Sequence, residues 1–281
     1  MKLYAISDLH VGHGANAQAL RELPQYLDDW LIVAGDCGDK LADHRMCLEL
    51  LGQRFAQLIW VPGNHDLWRE GPLAGLEKYQ RLVEICRELN VLTPEDRFAL
   101  WPGGERPAVI APLFTLYDYS FHPDDVTDEE AVAWAAEAGV ICADEAYLSA
   151  EGFTDRIAWC AERCRISEQR LAALERPPGA ALVLVNHWPL LRAHAVLPRI
   201  PRFSVWCGTR RSEGWAQRFA ADVVVYGHLH IRCSHRSQGV RFEEVSLGYP
   251  AQWQKGRPLA SYLREILPGP PLDEQAVRYW P

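Results

Sequence analysis

The sequence predicts an α/β fold, on three observations. Short apolar runs of strand length alternate with stretches whose apolar residues recur at helical spacing. The loop after each early run carries Asp, Gly or Asn, the residues expected of a ligand site at the carboxyl edge of a sheet. No apolar run reaches the roughly 18 residues that a membrane helix needs. The 281 residues are 48% apolar and 23% charged. A chain of that size buries roughly three quarters of its unfolded surface and needs no disulfide framework.

Taken in order, residues 3–7 read as a buried strand that runs into a polar loop, and residues 30–34 and 57–61 as two more. Between them, Leu41, Leu48, Leu51 and Phe55 recur at helical spacing, and residues 73–89 repeat that pattern. Residues 109–112 read as a strand, followed by an aromatic, irregular stretch over 113–126. Thr127 with Glu130 three positions on makes a capping box that opens a helix, and its acidic first turn suits the helix dipole. Residues 155–174 predict a long helix, stopped by Pro177, Pro178 and Gly179. Strands return at 181–185, 223–226 and 240–245. Residues 268–281 are proline-rich and aperiodic, so the expected layout is one domain over 1–267 with a C-terminal tail over 268–281.

Composition excludes several classes. The eight cysteines are scattered with no Cys-x-x-Cys pair, so they are expected in the core. Cys160 and Cys164 share a predicted helix but have no second pair to complete a zinc tetrahedron. Residues 1–7 pass straight into Asp8 and His10 without the apolar region of a signal peptide, which gives a cytoplasmic expectation and no membrane partner. A net charge of −8 weighs against binding nucleic acid. Against that average, residues 188–211 hold five arginines and no Asp or Glu. This run is either a solvated loop or a basic rim beside a site.

Five loops that follow predicted strands concentrate metal-ligand chemistry. They carry Asp8 and His10; Asp36 and Asp39; Asn64, His65 and Asp66; His187; and His228 and His230. Half of the ten histidines sit there. Mixed carboxylate, amide and imidazole donors suit divalent or trivalent Mn, Fe or Zn. These donors are too many for one ion; they suit two ions about 3.5–4 Å apart that share a bridging carboxylate. Glycines before Asp36, Asn64 and His228 are read as allowing the turns that aim the side chains inward.

In this order the five loops resemble those of the calcineurin-like metallophosphoesterase superfamily. The resemblance implies a four-layer αββα sandwich and a dinuclear centre. It makes Asp8, His10 and His230 ligands of one metal and Asn64, His187 and His228 ligands of the other, with Asp36 as the bridge. His65 matches the histidine that protonates the leaving group, and Asp39 the acid that orients it. Read on its own, Asp39 is equally an N-cap for the helix starting near Lys40. Asp66 completes the motif without an assigned role.

A narrower resemblance, to an actinobacterial branch, rests on further segments. These include residues 28–36, Tyr117-Asp118-Tyr119-Ser120-Phe121, the run from Val185 through Arg192, Trp206-Cys207-Gly208-Thr209 and residues 239–246. One activity in that branch is 4′-phosphopantetheinyl hydrolysis from carrier proteins. Asp39 and Asp66 stand where that branch is expected to carry Glu. The implied function is a phosphodiesterase with acyl carrier protein as partner, and the arginine-rich run would then steer an acidic carrier. The rival use of that run is a phosphate clamp, with Arg192, nearest a ligand, as substrate-binding residue. Tyr117, Tyr119 and Trp206 are either pocket or core. Two other functions compete: a small-molecule phosphoesterase, acting on a cyclic nucleotide or a monoester, and a catalytically silent scaffold of the same fold.

Overall fold

The computed structural model describes residues 1–104, 106–254, 256–270 and 278–279. Eleven strands among them form two sheets. Strands β1 (Leu3–Ile6), β2 (Tyr26–Val33) and β3 (Phe55–Trp60) run parallel, and β10 (Arg264–Leu267) closes the β1 edge antiparallel, giving the order β10-β1-β2-β3. The second sheet has a parallel core of β5 (Ala108–Pro112), β6 (Ala181–Val185), β7 (Val223–Tyr226) and β9 (Val240–Glu244). Strand β4 (Ala99–Trp101) borders it on one side. On the other lie β8 (Cys233–Ser237) and β11 (Arg278–Tyr279), and all three of these outer strands pair antiparallel.

The layering follows from period-two alternation in strands buried on both faces. In β6, Ala181, Val183 and Val185 point between the sheets, while Leu182 and Leu184 join the cluster beneath the helices. In β7, Val223 and Val225 face inward, and Val224 and Tyr226 face the helices. In β2 the same division puts Ile32 between the sheets and Leu31 and Val33 outside. Runs such as Ala181–Val185 therefore look uniformly apolar because each residue meets one of two cores.

Helices α1 (Gly14–Arg21), α2 (Leu41–Gly52), α3 (Asn64–Leu67) and α4 (Gly75–Glu88) follow the strands of the first sheet. Helices α5 (Ala131–Glu137), α6 (Asp144–Tyr147), α7 (Arg156–Ala172) and α8 (Trp215–Arg218) accompany the second. The result is the four-layer αββα sandwich. At α7, Asp155 accepts the Ala158 N–H at 2.7 Å as a true N-cap. Ahead of α5 the Glu130 carboxylate accepts the Thr127 N–H and hydroxyl, but the Glu130 N–H goes to the Thr127 carbonyl and Glu130 itself is the N-cap, so only one half of the predicted capping box forms. Among the described residues, no helix is long and apolar enough to cross a membrane.

Several elements were not read from the sequence. Helix α1 carries only Ala17 and Leu20 as buried apolar residues, and β8 has the sequence Cys-Ser-His-Arg-Ser, which lacks a strand pattern. The predicted aperiodic tail contributes β11 against β8, while residues 271–277 and 280–281 of that tail lie outside the described residues. Cys160 and Cys164 are buried on α7 with their sulfurs 4.0 Å apart, as core thiols.

Candidate metal centre

The carboxyl ends of β1, β2, β3, β6 and β7 meet at one point, because a parallel bridge from Ser7 to Ser246 brings the two sheets together there. The loops that leave those ends carry Asp8 and His10, Asp36, Asn64, His187, and His228 and His230. Around one centre, His230 Nε2 lies 3.0 Å from Asp8 Oδ1 and 3.4 Å from His10 Nε2. His10 Nε2 is 4.0 Å from Asp36 Oδ2. Around the other, Asn64 Oδ1 lies 3.1 Å from His228 Nδ1 and 3.2 Å from His187 Nε2. His187 Nε2 is 3.5 Å from the same Asp36 oxygen. Donor atoms bound at about 2.0–2.2 Å to a common cation stand roughly 3–4 Å apart, so both groups have that spacing. The Asp36 oxygen faces both.

The electrostatics fit two cations. Burial lowers the pKa of His10 and His228 well below the ordinary imidazole value, neighbouring imidazoles add to it, and burial lowers His187 as well. These rings are held neutral, with lone pairs to give. Burial, together with the Asp8 and Asp66 charges, pushes the Asp36 carboxyl well above its usual range. A carboxylate so placed needs positive charge beside it. The Asp8 carboxyl is opposed by burial, but His230 and its neighbours hold it well below its usual value. Among the described residues, buried His10 Nδ1 and His228 Nε2 have no hydrogen-bond partner. The donor set of two carboxylates, one amide oxygen and four imidazoles therefore suits a pair of borderline metals.

The supporting contacts explain how the donors are held. His187 Nδ1 meets the Ala34 carbonyl at 2.8 Å, and His230 Nδ1 meets Gln252 Oε1 at 2.6 Å, contacts that orient each ring. Asp8 Oδ2 accepts from the Ser246 hydroxyl at 2.8 Å and the His228 N–H at 3.0 Å. Of the ten described non-glycine residues with positive φ, five are donors of this centre: Asp8, His10, Asp36, His228 and His230. The glycines act differently from expectation. Of Gly35, Gly63 and Gly227, only Gly35 has a positive φ, of 95°. Gly63 and Gly227 are required by close approach instead, since a Cβ at either would collide with the Asp36 or the Asp8 carboxylate.

His65 stands beside this cluster. Its Nδ1 is 2.9 Å from Asp39 Oδ1 and its Nε2 is 3.2 Å from the Tyr249 hydroxyl. Asp39 does not cap α2; Lys40 holds the N-cap position, and no side chain caps it. Trp68 lays its ring against His65 with centroids 3.7 Å apart and donates its indole N–H to Asp144 Oδ1 at 2.7 Å. The same oxygen accepts from the Asn64 amide at 2.9 Å, which leaves the Asn64 oxygen turned toward His187 and His228. Asp66 is fully buried, accepts the backbone N–H groups of Asp36, Cys37 and Gly63, and has His44 Nδ1 3.9 Å from its Oδ1.

Sequence reasoning missed Trp68, Asp144, Tyr249 and Gln252. Their residue types are ordinary, and only their placement marks them. Arg192 is not brought to the cluster: its guanidinium is 3.3 Å from Asp124, and it lines neither cavity of the site. Arg202 pairs with Glu137, Arg210 with Asp124 and Arg211 with Asp118. Tyr117 and Trp206 are core residues, and the Tyr119 hydroxyl binds Glu145.

A two-sheet sandwich with such donors converging at its strand ends defines a metallohydrolase. The chain belongs to the calcineurin-like phosphoesterase family, whose model matches residues 1–232. It is a metal-dependent phosphoric ester hydrolase, and its family uses a dinuclear metal centre. The chain is 46% identical over 274 residues to the acyl-carrier-protein phosphodiesterase PptH of Mycobacterium tuberculosis, covering 95% of this chain and 84% of that protein. The crystal structure of phosphopantetheinyl hydrolase PptH from the same organism superposes with a TM-score of 0.90 at 45% identity, covering 96% of both chains.

Proposed function

We propose that this protein is a cytoplasmic phosphodiesterase that releases 4′-phosphopantetheine from holo-acyl carrier protein. The observation that carries the substrate is the 46% identity to an acyl-carrier-protein phosphodiesterase over nearly the whole chain. The donor spacing supports Asp8, His10 and His230 as ligands of one metal and Asn64, His187 and His228 as ligands of the other, bridged by Asp36. Mn, Fe and Zn fit that donor set. Bound there, two cations supply Lewis acidity for the phosphoryl oxygens and a water activated near neutral pH.

The protein's own groups do the rest. Water gives up one proton to solvent as its oxygen bonds to phosphorus, the bond to the carrier's seryl oxygen breaks with its electron pair on that oxygen, and His65 supplies the proton that the oxygen takes and is reprotonated from solvent. Asp39 accepts the Nδ1–H of His65 and so presents Nε2 to the leaving oxygen. A hydroxyl oxygen is already accommodated 3.2 Å from that Nε2, in Tyr249. Trp68 packs against the His65 ring and restrains it.

The test is direct. The purified enzyme, loaded with Mn, Fe or Zn, is mixed with holo-carrier protein, cyclic nucleotides and phosphomonoesters, and products are followed by mass spectrometry. The expected result is loss of 4′-phosphopantetheine from the carrier with two metals per chain, falling well below two in Asp36→Asn. Turnover of cyclic nucleotides or monoesters alone would replace this reading with the small-molecule one, and no turnover with two metals bound would replace it with the silent scaffold.

A further inference from the structure

Two cavities meet at His65 and differ in the side chains that line them. One, of about 290 Å³, runs from Asn64, His228 and His230 to a wall of Leu197, Ile200, Phe203 and Leu229. The other, of about 350 Å³, is bounded by His13, Lys40 and Asp43 beyond Asp39 and has no aliphatic side chain in its lining. His65, Trp68 and Tyr249 line both, so these three rings form the partition. Leu197, Ile200 and Phe203 of that wall come from the segment that follows β6: Phe203 lies over His228 with ring centroids 6.2 Å apart, and Ile200 is left 42% exposed at the mouth.

A diester has two arms that must part at phosphorus, and the one that leaves must have its oxygen beside His65 Nε2. We infer that the two cavities sort these arms: the aliphatic cavity binds the pantetheinyl arm, which stays on the phosphate, and the polar cavity receives the seryl segment of the carrier. This rests on the reading above that holo-carrier is the substrate. The chemistry matches on each side. The pantetheinyl chain carries a gem-dimethyl group and methylene runs that gain from apolar burial, whereas a backbone segment around serine needs polar neighbours for its N–H and C=O groups. The partition places His65 where both arms meet.

The experiment compares three substrates: holo-carrier protein, the p-nitrophenyl ester of 4′-phosphopantetheine and bis(p-nitrophenyl) phosphate. The first has both arms, the second only the pantetheinyl arm and the third neither. Ile200→Asp and the milder Ile200→Ser, both at a partly exposed position that tolerates polarity, should raise KM for the first two about tenfold more than for the third. Lys40→Ala should raise KM for holo-carrier several-fold more than for either nitrophenyl ester. Equal effects of Ile200→Asp on all three, or the reverse pattern between the two sites, overturn the sorting. If the unmodified enzyme releases nothing from holo-carrier, the substrate reading itself falls and the sorting with it; release that ignores the Ile200 variants sinks the sorting alone.

Discussion

The Asp66 carboxylate accepts the backbone N–H of Asp36 at 2.8 Å and, through the same oxygen, that of Gly63 at 3.0 Å. Its other oxygen takes the N–H of Cys37 at 2.9 Å. One buried side chain thus ties the loop after β2 to the loop after β3, and it fixes the position of the shared Asp36 carboxylate. Asp66→Ala leaves three or more buried donors unpaired, which should cost on the order of 3 kcal/mol or more and lower Tm by roughly 5–10 °C. Calorimetry and metal analysis together check it. Unaltered Tm with two metals retained would remove Asp66 from this role.

His65→Ala should keep two metals per chain and lose turnover selectively. Loss of a general acid removes about 10²–10⁴-fold for an alkyl leaving group and much less for nitrophenolate, which leaves without a proton. Asp39→Asn should show the same selectivity at smaller amplitude, because it disturbs the ring's orientation and leaves the ring in place. Rates across a leaving-group series decide this, and a uniform drop contradicts it.

Asp144 reaches the site through others, holding the Asn64 amide and the Trp68 indole on one oxygen. Asp144→Ala should weaken one of the two metal equivalents by about 10–100-fold and spare the second. Calorimetric titration of metal into the stripped protein resolves the two events. Equal weakening of both would make Asp144 a general support of the fold.

His194 and His235, outside the metal cluster, place their Nε2 atoms 2.9 Å apart against Phe242. Burial, and then the charge of His235, takes the His194 imidazole down to about 3 in the folded chain. The unfolded chain titrates this group near 6.5. Between those values the unfolded state binds more protons, so this contribution is present above about pH 6.5 and is lost as pH falls toward 3. Denaturation midpoints at pH 7.5 and pH 5 should therefore converge more closely in His194→Gln than in the parent chain, and an identical difference in both proteins would refute it.

The clustering of the strand-end side chains was legible because metal chemistry restricts residue types, and the chain order of the loops preserves their grouping. Asp8, Asp36, His187 and His228 could be read as a set for that reason. Asp144 and Tyr249 could not, because each comes from a segment without a motif and matters only through where the fold sets it. The surroundings of the arginine run could not be read for a related reason. The partners of four of its arginines, Asp118, Asp124 and Glu137, lie some 65 to 93 positions away along the chain, so a stretch without acids of its own meets acids in space. The two-core layering was legible as uniformly apolar strands, whereas β8, polar along its length, gave no signal.

Five residues of the proposed metal centre hold a left-handed backbone, and three of them are histidines. A residue so placed costs about 1–3 kcal/mol unless it is glycine, or, at less expense, asparagine or aspartate. Replacing His10, His228 or His230 with glycine would thus relax the chain while deleting its chemistry. A selection for heat resistance alone, run on the stripped protein, would drift toward inert sequences at these positions. Durability and turnover are opposed here residue by residue, and only a screen that rewards both would keep the enzyme.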